Sequence, residues 1–85
     1  MAKTVLITGG STGIGYEFAH LFARDGYRLV LVARNAQKLA EVAKELEGAY
    51  RTSVVILAKD LAAPSAPQEI AARLQQDGIA VDVLV

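Results

Sequence analysis

Four short runs of the sequence are almost unbroken in β-branched and aliphatic residues: Thr4 to Thr8 (TVLIT), Arg28 to Ala33 (RLVLVA), Ser53 to Ala58 (SVVILA) and Val81 to Val85 (VDVLV). A strand with one wet face alternates apolar and polar residues, whereas a continuous apolar run belongs to a strand covered on both faces. Between the runs lie stretches with helical spacing. Ile14, Phe18, Leu21 and Phe22 make one apolar stripe, Leu39, Val42, Ala43 and Leu46 a second, and Ile70, Ala71 and Leu74 a weaker third. Strands alternating with helices over short connections imply right-handed crossovers into a parallel sheet. Residues 1–85 therefore read as one α/β unit, β-α-β-α-β-α-β, with no internal linker or repeat.

The boundaries have local causes. Asp25-Gly26 stops the first helix, with Gly26 suited to a left-handed position after its end. Asn35 can cap the second helix, and Gly48 is expected to end it. Ser65 and Gln68 have capping-box spacing for the third, Pro67 is tolerated in its first turn, and Asp77-Gly78 ends it. Lys38, Glu41, Lys44, Glu45 and Glu47 read as the solvated face of the second helix, and His20, the sole histidine, as a structural residue of the first.

Composition narrows the function. Nine Lys+Arg balance nine Asp+Glu, so the chain has no electrostatic footprint for nucleic acid or an anionic membrane surface. Without cysteine it has neither a disulfide framework nor a thiolate metal site. No stretch approaches the roughly 20 apolar residues of a membrane span. Val5-Leu6-Ile7 is too short for the apolar part of a signal peptide, and the expected compartment is the cytosol. The high hydrophobic share, 53%, is what doubly covered strands require.

Residues 8–15, TGGSTGIG, join the first strand to the first helix. In a doubly wound sheet this turn is where phosphate binds, because the helix offers unpaired N–H groups and the positive end of its dipole. The spacing is Gly9-x-x-x-Gly13-x-Gly15. Gly9 makes the tight turn off the strand, Gly13 lets a pyrophosphate approach the backbone, and Gly15 lets helix pack on strand. A P-loop would need Lys-Ser/Thr where Tyr16-Glu17 stands, and G-x-G-x-x-G would need glycine at Phe18.

Thr8-Gly9-x-x-x-Gly13-Ile14-Gly15 resembles the cofactor motif of the classical short-chain dehydrogenases/reductases. So do Ala33-Arg34-Asn35 after the second strand, Asp60-Leu61 after the third, and VDVLV as the fourth. Extended members carry T-G-x-x-G-x-x-G, and here Thr12 holds the place of the second glycine. The resemblance implies a Rossmann-type sheet of order 3-2-1-4, helices on both faces, and a nicotinamide cofactor. It also implies that Ser11 and Ile14 lie against the phosphates, that Asp60 bonds the adenine amino group, and that the Leu61 backbone lies beside the base. Arg34 then decides the cofactor. An acidic residue at the end of the second strand bonds the ribose 2′-hydroxyl of NAD, and an arginine pairs with the 2′-phosphate of NADP. No Asp or Glu occurs between Tyr27 and Ala40, so NADP(H) is expected over NAD(H). Thr12, where many NADP-using relatives carry a basic residue, adds a hydroxyl but no charge.

The resemblance also implies a catalytic Ser, and a Tyr-x-x-x-Lys pair. Four residues after Tyr16, Tyr27 and Tyr50 stand His20, Leu31 and Val54, so no tyrosine fits. The chain is expected to be the amino-terminal, cofactor-binding part of a reductase, cut after strand four and carrying no catalytic residue. The whole protein would move hydride between NADP(H) and a small-molecule carbonyl/alcohol substrate, as a homo-oligomer. The alternative is a non-catalytic nucleotide-binding module or an inactive fragment. Cut there, the fourth strand becomes an edge, and a marginally stable chain is expected.

Overall fold

The structure, a computed structural model, describes residues 3–9 and 13–85. Seven elements follow in order: β1 (Thr4–Thr8), α1 (Gly13–Arg24), β2 (Arg28–Ala33), α2 (Ala36–Tyr50), β3 (Val54–Ala58), α3 (Ala66–Gln76) and β4 (Val83–Leu84). The strands form one parallel sheet in the order β3-β2-β1-β4. The expected Rossmann-type topology is the one found.

Register places alternate residues on opposite faces. Val5, Ile7, Leu29 and Leu31 face α1 and α2, where they pack with Ala19, Ala23, Leu39, Val42 and Leu46. Leu6, Val30, Val32 and Leu57 face α3 and meet Ile70. The two cores share one sheet, which explains why the strands show no polar alternation. β4 is shorter than the five residues expected, yet its ladder is longer than its strand. Asp82 N–H donates to Thr4 O at 2.8 Å, Val85 N–H to Leu6 O at 2.9 Å, and Thr8 N–H to Val85 O at 3.1 Å. Asp82 Oδ2 accepts the Thr4 N–H at 2.9 Å.

Two of the expected helix stops hold for one reason. After α1, Gly26 has φ +86°, its N–H donates to Ala23 O, and Tyr27 N–H donates to Phe22 O. After α3, Gly78 has φ +66°, with Gly78 N–H to Gln75 O and Ile79 N–H to Leu74 O. Both are Schellman motifs, each with its apolar contact across the end. In the first, the Phe22 and Tyr27 rings meet edge-on at 4.9 Å. Asn35 caps α2 as expected, its Oδ1 accepting the Lys38 N–H at 3.0 Å.

Besides the length of β4, four expectations need correction. α2 does not end at Gly48 but continues to Tyr50, and Arg51 takes the left-handed conformation at φ 53°, ψ 39°. The extra turn carries the Tyr50 ring onto the core and its hydroxyl to His20, contacts that outweigh glycine's weak helix propensity. Ser65 makes no side-chain cap on α3; its backbone is helical (φ −89°, ψ −3°), the wrong geometry for a capping box. β3 begins at Val54, not Ser53. Finally, α1 does not bury the stripe that periodicity picked out. Ile14, Phe18 and Leu21 are 73%, 37% and 44% exposed, and Phe22 is half-buried. Ala19 and Ala23 face the sheet instead, because their small side chains let the helix axis come close.

α1 and α2 are joined by a polar cluster. His20 Nε2 lies 2.7 Å from Glu45 Oε2, and Nδ1 lies 3.0 Å from the Tyr50 hydroxyl. The Tyr16 hydroxyl donates to the same Glu45 oxygen. With Nε2 carrying a proton toward the carboxylate, Nδ1 accepts from Tyr50 and every partner is satisfied. His20 is therefore structural, as expected, while Glu45 is more than a solvated charge. The hydrogen bonds from Tyr16 and then His20 hold Glu45 below the ordinary carboxylate range, and the bond to Glu45 raises the Tyr16 phenol.

A depressed carboxylate contributes stability that is present above its unfolded pKa and lost as pH falls through its folded one. Glu45→Gln should therefore flatten the acid limb of a stability–pH curve below the ordinary glutamate range, as read by urea melts. Arg51→Gly should raise stability by about 1 kcal/mol, the cost of a left-handed non-glycine residue; an unchanged denaturation midpoint would count against strain there.

Candidate functional site

The carboxyl ends of β1, β2 and β3 open onto one cleft of about 350 Å³, lined by Gly9, Ala33, Arg34, Lys59, Asp60, Leu61 and Ala62. Three turns converge to make it. Gly9 extends β1 by one residue, its N–H donating to Val32 O at 2.7 Å, and then turns the chain at φ +69°. Arg34 follows β2 directly and is exposed. After β3, Lys59 N–H donates to Ala33 O at 2.9 Å, keeping the third turn against the second.

Asp60 shapes that third turn. Its Oδ1 accepts the Ala62 N–H and its backbone carbonyl accepts the Ala63 N–H, both at 3.0 Å. This Asx turn occupies one carboxylate oxygen, and Oδ2 has no partner among the described residues. Leu61, at the next position, shows 44% of its surface to the cleft and solvent.

α1 begins beside the cleft. Gly13 opens the helix at φ +61°, with the exposed Ile14 and the half-buried Gly15 in the first turn. No acidic residue lies in that turn, so the N–H groups of the helix start, which have no partner within the helix, meet no carboxylate there. A Cβ placed on Gly9 or Gly13 would meet no atom within 4 Å. Among the described residues, what disfavours a side chain at these two positions is therefore backbone conformation rather than crowding. A helix start with no acidic residue and the cation of Arg34 fit the phosphates of a dinucleotide.

Of the expected site residues, the structure brings Gly9, Arg34, Asp60 and Leu61 into one cleft and sets Gly13, Ile14 and Gly15 at the adjoining helix start. Ser11 and Thr12 lie outside the described residues. Lys59 was missed. Only the strand pairing marks it: aligned strand ends set Arg34 and Lys59 one position beyond the register pair Ala33↔Ala58.

A second cleft, about 320 Å³, lies on the flank of α1 and is lined by Tyr16, Glu17, His20, Leu21, Arg24 and Tyr50. Tyr16, His20 and Tyr50 there are tied to one another or to Glu45, which leaves fewer free groups for a ligand than at the strand ends. The described residues contain no cluster of three or more His, Asp or Glu able to hold a metal ion. Among the described residues, no helix is long and apolar enough to cross a membrane.

The family model for short chain dehydrogenase matches residues 3–85. A very-long-chain 3-oxoacyl-CoA reductase from Kluyveromyces lactis is 38% identical over 80 residues, 94% of this chain and 23% of that protein. Among solved structures, L-sorbose reductase from Gluconobacter frateurii, complexed with NADPH and L-sorbose, superposes with a TM-score of 0.91 at 34% identity. The match covers 98% of this chain and 32% of that one. An alcohol dehydrogenase from Thermococcus sibiricus, complexed with 5-hydroxy-NADP, gives a TM-score of 0.92 at 33% identity, covering 99% and 36%. The chain thus spans about a quarter of the first of these proteins and about a third of the other two.

Gly13→Val should abolish dinucleotide binding, because a β-branched residue at φ +61° forces the helix start to rearrange. Titration calorimetry would detect the loss, and an unchanged far-UV circular dichroism spectrum would show that the fold survives. Equal affinity in the variant would remove the phosphate seat.

Proposed function

The chain belongs to the short-chain dehydrogenase family, and from its cleft we propose that it holds the adenosine and pyrophosphate of NADP(H) for an oxidoreductase acting on a carbonyl/alcohol substrate. The observation that carries the cofactor choice is Arg34, exposed on the cleft at the end of β2, with no carboxylate from Tyr27 to Ala40. A guanidinium grips a phosphate with two parallel hydrogen bonds, and a carboxylate at that place would repel it. The relatives complexed with NADPH and with 5-hydroxy-NADP support this reading.

Each remaining residue has one task. The N–H groups at the start of α1, next to Gly13, take the pyrophosphate. Asp60 accepts the adenine amino group through Oδ2, while Oδ1 keeps the turn closed on Ala62. Leu61 lies against the base. Bound there, the cofactor supplies hydride chemistry at its nicotinamide, beyond the residues of this cleft. The chain's three tyrosines are placed for structure: Tyr16 and Tyr50 in the α1–α2 cluster, and Tyr27 against Phe22 at the end of α1. The proton donor of the reaction would then come from other parts of the protein, and the part carried by these 85 residues is binding.

Arg34→Asp should weaken NADP+ far more than NAD+. A charge-assisted hydrogen bond is worth about 1.5–3 kcal/mol, which corresponds to a roughly tenfold to hundredfold loss for NADP+. Dissociation constants for both nucleotides decide it, and an unchanged preference would assign the 2′-phosphate to another group.

A further inference from the structure

Arg34 does not stand alone in the cleft. β2 and β3 pair in parallel up to Ala33↔Ala58, and the next position on each strand carries a cation, Arg34 and Lys59. The Lys59 N–H bond to Ala33 O, 2.9 Å, carries the pairing geometry to that position. Both residues line the cleft. Like charges on neighbouring strands at facing positions repel and destabilise a sheet end. Among the described residues lining the cleft the one carboxylate is Asp60, already engaged with the Ala62 N–H. Two cations against one half-used anion leave the cleft suited to an anionic ligand.

Lys59 is also loosely held. Its Nζ lies 3.9 Å from Glu69 Oε2 of α3, at the outer limit of an ion pair, and the two side chains are 35% and 49% exposed. Such a pair contributes little, about 0–1 kcal/mol. A lysine ammonium on its four-carbon stem can leave so weak a partner for a phosphate at small cost.

We propose that Lys59 is a second specificity-determining residue of the cleft: it leaves Glu69 and pairs with the 2′-phosphate of NADP(H) alongside Arg34. The proposal rests on the NADP(H) reading. Glu69 then acts as a counterweight, holding Lys59 when no phosphate is present and lowering affinity for it slightly.

The test is calorimetric titration of NADP+ and NAD+ into the intact protein and its Lys59→Gln, Lys59→Arg, Glu69→Gln and Arg34→Gln variants, with melting curves to establish folding. Lys59→Gln should weaken NADP+ about tenfold, equivalent to about 1.4 kcal/mol, and NAD+ less than about twofold. Lys59→Arg should restore most of the NADP+ affinity. Glu69→Gln should tighten NADP+ by about twofold to threefold and leave NAD+ unchanged, since it removes only a weak competitor. Equal losses for both nucleotides in Lys59→Gln, or no loss for either, would overturn the proposal. Should Arg34→Gln erase the NADP+ preference while Lys59→Gln leaves it intact, Lys59 alone is excluded and the cofactor reading stands. A wild-type protein with no preference for NADP+ over NAD+ would sink both.

Discussion

The parallel pairing of β1 with β2, from Thr4↔Arg28 to Thr8↔Val32, sets the position of everything at the cleft. In parallel strands the carboxyl ends lie side by side, so the turns that follow them emerge at one edge of the sheet. The Gly9 N–H to Val32 O bond carries that pairing into the glycine turn, and Lys59 N–H to Ala33 O does the same for β3. A slip of one residue would exchange the two cores: Val5 and Ile7 would meet α3, and Leu6 would meet α1. Both faces are apolar, so hydrophobicity alone resists such a slip weakly. The edge ladder adds direction, with Asp82 bonding the Thr4 backbone twice and Val85 bonding Leu6 and Thr8.

Rigidity around the cleft comes from the helices. α1 and α2 lie on one face with their amino termini following β1 and β2, and the Tyr16–His20–Glu45–Tyr50 cluster ties them together away from the cleft. Ala19 and Ala23 pack against the sheet residues Val5, Ile7, Leu29 and Leu31, which holds α1 close to the strands. That close approach turns Ile14, Phe18 and Leu21 outward, and Leu84 on β4 is 73% exposed. These apolar surfaces are on a chain that spans 23% of a curated relative and 32% of a solved one.

Much of the site was legible because its residues act through local geometry. A glycine at positive φ, a cation at a strand end and an aspartate opening an Asx turn each declare themselves within a few positions, and Gly9, Arg34, Asp60 and Leu61 meet in one cleft. Lys59 was not read, because a lysine at a strand end carries no local mark. Its meaning depends on the residue facing it across β2, 25 positions away by the pairing of Ala33 with Ala58. Glu45 went unread for a similar reason: it sits among charges that face water, and only the approach of α1 supplies Tyr16 and His20.

Sequence alone determined which segments are strands and which are helices, the parallel α/β class, and the helix stops at Gly26 and Gly78. These follow from steric limits on φ, from apolar runs of fixed length and from turn chemistry within six residues, all local quantities. Tertiary structure decided how far α2 runs past Gly48, which face of α1 is buried, and which distant charges share the cleft. Those outcomes depend on packing between segments brought together by folding. Tyr50 prolongs α2 because His20 and the core receive it, and α1 rotates onto its alanines because the sheet surface admits small side chains closely.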